Sequence, residues 1–372
     1  MGQNHTMPRR PSGLSVAAAA LVMRPIRPPT GGDDSKLSRR CLAAGATAVA
    51  MMLAAPALAR GSTSPEDQSA WKEDDATAAV RAAVRTGKNV ELDPSKQYKI
   101  TSPITPADGQ ALVGGGLMPV GNFDAITIGP SRGVMIDLIM HCGGQTGGYA
   151  LTCAGAERVL VRKLFLRESG YNVVHIRRSN SISISELHAI ELRGHVGVRW
   201  FGDDRERSDI LNIDDAVVAF ADSAKGAIGL DWCGNCHSLH VDNFHAVGKP
   251  GPHSPLRHGL LVRNPVGAAT SPQIGRLDSF ASDYSQSHGL CFEAGDDIDI
   301  SKVYQNGSRE GSGVFVSRAL AAYAVRIHGG KTIGNALYGI HAESSVSVRD
   351  TLAYANRLGN SHGFVTGNLL SR

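Results

Sequence analysis

From Asn172 to the C-terminus one short phrase keeps returning: a Gly or Asn, an apolar residue, any residue, then usually a second apolar one. It reads Asn172-Val173-Val174-His175, Gly197-Val198-Arg199-Trp200, Gly229-Leu230-Asp231-Trp232 and Gly259-Leu260-Leu261-Val262. It continues as Gly289-Leu290-Cys291-Phe292, Gly313-Val314-Phe315-Val316, Gly339-Ile340-His341-Ala342 and Gly363-Phe364-Val365-Thr366. The steps between phrases are 25, 32, 30, 30, 24, 26 and 24 residues. A second alternating segment lies between them, as in Ile182-Ser183-Ile184, Leu239-His240-Val241, Ile298-Asp299-Ile300 and Val346-Ser347-Val348. Period-2 alternation makes these segments strands, and self-similarity at this spacing makes them stacked units. With Gly at each expected corner and no helical period within a repeat, each unit is one coil of a parallel β-helix. The regular ladder begins at Val159-Leu160-Val161.

At 372 residues the chain has the length of one large or two ordinary domains. A solenoid is free of that limit, because each coil buries its apolar face against its neighbours. The 43 Gly and 5% aromatic residues suit many tight corners around a narrow aliphatic core. The net charge of +4 comes from the N-terminal segment. Residues 1–59 carry seven Lys/Arg against two Asp/Glu, a surplus of five, which leaves the remainder at −1. That balance gives no support to nucleic acid as a partner.

In chain order, residues 1–34 read as a leader. Ser38-Arg39-Arg40-Cys41-Leu42, the apolar run to Ala55 and Ala57-Leu58-Ala59 form an export signal of twin-arginine type. The run is short for a membrane span, so the mature protein is expected without one, in the periplasm or outside the cell. The expected export partner is the twin-arginine machinery. Residues 60–73 read as a polar linker. Asp74-Asp75 lead an Ala-rich helix with Ala76, Ala79, Val80, Ala83 and Val84 on one face, ended by Gly87. Strands follow at Val90, Leu92, Tyr98 and Ile100, and 74–108 form a cap ahead of the β-helix at 109–372. The glycine runs Gly114-Gly115-Gly116 and Gly143-Gly144 lack phosphate-loop spacing and read as turns.

The segment from Asp74-Asp75 through Leu92-Asp93-Pro94 to Tyr98-Lys99-Ile100, with the repeats, resembles the pectate lyase and polygalacturonase superfamily over 74–372. The resemblance implies a single-stranded right-handed parallel β-helix of about ten coils with an N-terminal helical cap. With its Arg-Arg leader the chain also looks like twin-arginine-translocated repeat proteins of unassigned function. The fold hosts lyases, hydrolases, epimerases, adhesins and tailspikes, so the chemistry must be argued from a site. Gly295-Asp296-Asp297 is similar to the Gly-Asp-Asp of polygalacturonases, but their downstream Gly-His-Gly and Arg-Ile-Lys are missing.

In the second strand, the residue between two inward positions faces out. Down the coils it reads Leu160, Ser183, Asn212, His240, Arg276, Asp299, Arg326 and Ser347. Two residues on, the outward set reads Arg162, Ser185, Asp214, Asp242, Asp278, Ser301, His328 and Arg349. Gly275 makes the Arg276 register the least regular. Three Asp in register on the longest coils, beside His240, Arg276 and Asp299, are the expected catalytic cluster on a polysaccharide. Like charges one strand spacing apart, roughly 4.8 Å, hold one carboxyl protonated to higher pH, as acid/base hydrolysis needs. Asp278 and Asp299, about 8 Å apart by strand geometry, fit an inverting pair; Asp214 and Asp242, about 5 Å apart, fit a retaining pair or ligands of Ca²⁺. In a lyase, Ca²⁺ would hold a uronate while Arg276 or His240 took the proton. A non-catalytic polysaccharide-binding or envelope structural protein is the alternative, since outward positions of a solenoid are polar anyway. Cys233-Gly-Asn-Cys236 has the spacing of a metal or redox pair without a second such pair, which favours a local disulfide or free buried thiols. His258, His288 and His362 precede expected corner glycines, and Trp200 and Trp232 read as core.

Overall fold

The computed structural model describes residues 60–72, 74–141 and 147–371; the expected leader and signal at 1–59 and Cys142 lie outside them. Among the described residues no helix is long and apolar enough to cross a membrane. The chain winds into a right-handed parallel β-helix of about twelve coils rather than about ten. The additional coils precede Val159, where no glycine phrase marks them. Strands Asn89–Ile100, Ala111–Pro119 and Met135–His141 pair in parallel with one another and with Glu157–Arg167. Their ladder shifts register between Leu92 and Gln97 and between Val113 and Gly116, which hides the repeat in the sequence. Gly114–Gly116 is therefore a bend inside a strand, not a turn. A Cβ on Gly114 would come within 2.2 Å of the Leu92 carbonyl oxygen, and its φ is +101°.

Three parallel sheets run the length of the solenoid. The first carries the recurring phrase, with Leu151, Val174, Val198, Leu230, Leu260, Leu290, Val314 and Ile340 in one fully buried inward row. Val174 holds this row, not Val173, because Asn172 pairs with Tyr149 and its phrase starts one residue earlier than the others. The second sheet carries Ile184, Ile213, Val241, Leu277 and Ile300 inward. The third carries Leu187, Ala216, Phe244, Phe280 and Val303. Ser208–Phe220 and Cys236–Val247 run through both of these sheets, bending between them.

The glycines of the phrase are not the corners. Gly229, Gly259, Gly289, Gly313 and Gly339 lie where the first sheet begins, and space rather than dihedral angle demands them. A Cβ on Gly259 would meet Ser282 Oγ at 2.4 Å, and one on Gly289 would meet Gln305 Cγ at 2.2 Å. The corner from first to second sheet is made by non-glycine residues in the left-handed region. Arg158, Ser181, Ile210, Ser238, Ile274 and Asp297 take φ between 51° and 66° on successive coils.

Helix Thr77–Arg85 buries Ala79 and packs Val80, Ala83 and Val84 into the core at the N-terminal end, and Asp75 accepts the Thr77 amide at 3.0 Å. The segment 60–73, read as a linker, carries a two-residue strand, Ser62–Thr63, paired with Asn89 and Val90. Trp200 and Trp232 stack at 5.8 Å inside the solenoid, fully buried, so neither offers a face to a sugar. Gly275 stands opposite, where a Cβ would sit 2.9 Å from the Trp232 ring, which is why the apolar pattern lapses there. Cys233 and Cys236 are free, buried thiols, with Cys236 Sγ donating to the Cys233 carbonyl.

Candidate functional site

The outward row of the second sheet stands rung by rung as the alternation predicts: Leu160, Ser183, Asn212, His240, Arg276, Asp299, Arg326 and Ser347 are consecutive partners. The second outward set is displaced from its expected place. Asp214 and Asp242 fall out of the ladder, and Asp278 lies between Gln273–Leu277 and Phe280–Asp283. Two residues, not one, separate Val241 from Phe244 and Leu277 from Phe280, so the chain turns there. The three aspartates therefore line the exposed bend from second to third sheet, not the flat sheet itself.

At that bend His240, Asp242 and Asp278 come together, with ligand atoms all within 4.8 Å of one another. His240 Nε2 lies 3.4 Å from Asp242 Oδ1, and Ser301 Oγ donates to Asp278 Oδ1 at 3.3 Å. Partial burial pushes the Asp242 carboxyl above the usual carboxylate range, and the neighbouring charges of Asp214 and Asp278 push the same way against the pull of His240. A carboxyl shifted upward beside two others has the arrangement that a general acid next to a base or nucleophile needs. One imidazole and two carboxylates at this spacing also match the ligands of a divalent cation.

Arg276 and Asp299 do not join this cluster. Arg276 Nη2 donates to Asp297 Oδ2 at 3.0 Å, and its Nη1 donates to the Asp297 carbonyl. Arg326 holds the other Asp297 oxygen, and the two guanidiniums keep that carboxyl below its ordinary range, Arg326 first. Asp299 faces His328 Nε2 at 3.1 Å and Arg326 Nε at 3.6 Å. Asp299 is thus ion-paired toward the following coil. The long-coil loops meet at the seam of first and second sheets. Asp204 accepts from the amides of Ala269 and Thr270 at 3.1 and 3.2 Å and from the Thr270 hydroxyl at 2.8 Å.

A second polar cluster, absent from the sequence reading, lies on the outer face of the first sheet. Asp231 is fully buried, yet it occupies the outward row Thr152, His175, Arg199, Asp231, Leu261. Arg199 Nε reaches its Oδ2 at 2.9 Å, while Arg263 Nε and Nη2 reach Oδ1 and Oδ2, each at 3.0 Å. Tyr149 stacks on His175 at 4.7 Å and hydrogen-bonds Arg199. Burial, then the charges of Arg199 and Arg177, lower His175 to about 4. The signal was present as Arg199 and Asp231 in the same place of consecutive phrases. Further along the same face His258, His288 and Phe315 stack at 6.1 and 4.6 Å. His288 Nδ1 accepts the Ser312 amide and His258 Nδ1 pairs with the His288 carbonyl, so these histidines are structural.

The fold and the outward carboxylates define a solenoid of the kind that presents chemistry on its sheet faces. No family model matches the chain, and no curated protein does. Among solved structures, the A-module of the Azotobacter vinelandii mannuronan C-5 epimerase AlgE6 is 14% identical over 83% of this chain and 99% of its own, with a TM-score of 0.39. The catalytic unit of an α-1,3-glucanase from Streptomyces thermodiastaticus is 11% identical over 84% and 70%, with a TM-score of 0.44. PfbA, a surface adhesin of Streptococcus pneumoniae, is 11% identical over 80% and 91%, with a TM-score of 0.32. These likenesses carry nothing about chemistry. The β-helix rests on the ladder described above.

Proposed function

We propose that this protein is an exported polysaccharide-cleaving enzyme working by carboxylate acid/base chemistry at the bend of the second and third sheets. The observation that carries the reading is the meeting of His240, Asp242 and Asp278, whose ligand atoms all lie within 4.8 Å of one another, with partial burial shifting the Asp242 carboxyl upward. Asp242 is the general acid toward the glycosidic oxygen. Asp278, with its oxygen inside the 4.8 Å cluster, is the nucleophile. That spacing suits a retaining mechanism, for which carboxyl groups stand roughly 5 Å apart, better than an inverting one. His240 stabilises the ionised form of Asp242 when the proton leaves. An open bend on a long solenoid gives an extended chain room to lie along successive coils.

The test is a screen of purified protein against polysaccharides, reading new reducing ends and the absorbance of unsaturated products. Hydrolysis raises the first alone. Asp242→Asn and Asp278→Asn should each lower turnover by about 100-fold or more while leaving the melting temperature near that of wild type. Wild-type turnover in both variants would abandon the assignment, and binding without either product would favour the non-catalytic alternative. The spacing of His240, Asp242 and Asp278 supports a second reading, a Ca²⁺-assisted elimination. It predicts both signals, with activity lost to EDTA and restored by Ca²⁺. Export is part of the proposal on the strength of Arg39-Arg40 and Ala57-Leu58-Ala59. N-terminal sequencing of material recovered outside the cytoplasm should begin after Ala59, and a start before Ser38 would remove it.

A further inference from the structure

The two ends of the solenoid are built differently. At the first, helix Thr77–Arg85 packs Val80, Ala83 and Val84 into the core, and Ser62–Thr63 pairs with Asn89 and Val90 on the strand Asn89–Ile100. At the other, strand Gly359–Ser371 closes the last coil, and among the described residues its only ladder partner is Tyr338–Tyr354. Its far edge therefore presents backbone N–H and C=O groups along 13 residues, about 43 Å of strand.

Open edges in folded proteins are blunted by charged side chains, Pro, covering loops or twisting bulges. From Gly359 to Ser371 the sequence holds no Lys, Arg, Asp, Glu or Pro. Arg357 precedes the strand, and Arg349 and Asp350 lie on the coil before it. His362 is stacked on Tyr338 at 4.7 Å. The inward positions change as well. Ser361, Gly363 and Gly367 pair with Ile340, Ala342 and Val348, so the core tapers here, with Val365 and Leu369 packed half-covered against it. A cap helix has little to bury at such an end. What the end offers is a strand edge, rimmed by Leu358, Phe364 and Leu370, which are 55%, 63% and 45% exposed.

An edge of this chemistry fits a second copy of itself. Two such strands brought face to face carry no like charges into the contact. Rotating one copy by half a turn about an axis across the solenoid reverses its winding sense, so the facing strands run antiparallel, the more stable pairing per residue. The covered first end takes no part, so the contact closes at two copies and does not propagate into a filament. The bend with Asp242 and Asp278 lies on the flank of the solenoid and stays open in this arrangement.

We propose that Gly359–Ser371 is a self-association edge, through which two copies of this chain pair antiparallel, end to end, as a two-fold dimer. Sedimentation velocity and small-angle scattering of the full chain over a concentration series test it, together with hydrogen exchange of the 359–371 amides. The expected result is a concentration-dependent dimer with about twice the monomer's longest dimension and at least tenfold slower exchange along the strand in the dimer. Phe364→Lys combined with Asn368→Lys puts two exposed charges on each edge and should weaken dimerisation at least tenfold. Val266→Lys, at an exposed position elsewhere, should leave it unchanged. Circular dichroism confirms that each variant is folded. The proposal is overturned by a monomer throughout the series, whether its strand amides exchange freely or are shielded by another part of the chain. It is equally overturned by a dimer no longer than the monomer, or by a folded double variant that associates like wild type.

Discussion

Ile274 sits at φ 58° and is 42% exposed, an uncommon place for a β-branched side chain. The left-handed conformation costs an L-residue roughly 1–2 kcal/mol, and Asn or Asp tolerates it best. Asp297 fills the equivalent corner one coil on and uses its carboxylate to tie Arg276 and Arg326. Ile274→Asn should therefore raise stability by about 1 kcal/mol, because little buried surface is lost and backbone strain is relieved. Urea denaturation checks this: a midpoint equal to wild type or lower would show that the corner stores no strain. At this scale alternation sets the phase of a side chain, as at His240 and Arg276. It says nothing of a partner on another coil, such as Asp297 for Arg276.

Among the elements, the column His258, His288 and Phe315 on the first sheet makes stability depend on acid. Burial first, then for His288 the charge of His341, holds His258 and His288 neutral down to about 4, against an ordinary value of 6.5. Between these values the unfolded chain binds protons that the folded chain refuses, so stability falls as pH drops from 6.5 toward about 4 and is level above 6.5. For the buried His258 the full window is worth on the order of 3 kcal/mol. The melting temperature should accordingly drop between pH 7.5 and 4.5. His288→Phe, which continues the stack onto Phe315, should show a smaller drop, and an equal drop in both proteins would refute the column as the cause. Two polar residues between Val241 and Phe244 mark a corner in the sequence and place Asp242 at the bend rather than on the sheet.

Across the whole molecule, strand pairing was legible because it is a one-dimensional property. A row of apolar residues at every second position must face inward, and a one-residue slip would bury every carboxylate of the outward row unpaired. From that constraint came the parallel β-helix, the order of outward residues from Leu160 to Ser347, and the inward burial of Leu290. The coil count fell short because the bulged strands before Val159 keep the pairing but lose the spacing. Lateral relations were out of reach. That Gly259 is there to admit Ser282, that Gly275 faces the Trp232 ring, and that Asp231 lies under Arg199 and Arg263 all depend on side chains brought together from different coils or from opposite walls. Such contacts are three-dimensional packing facts. Local alternation carries no information about them, because it states which way a residue points and not what it meets there.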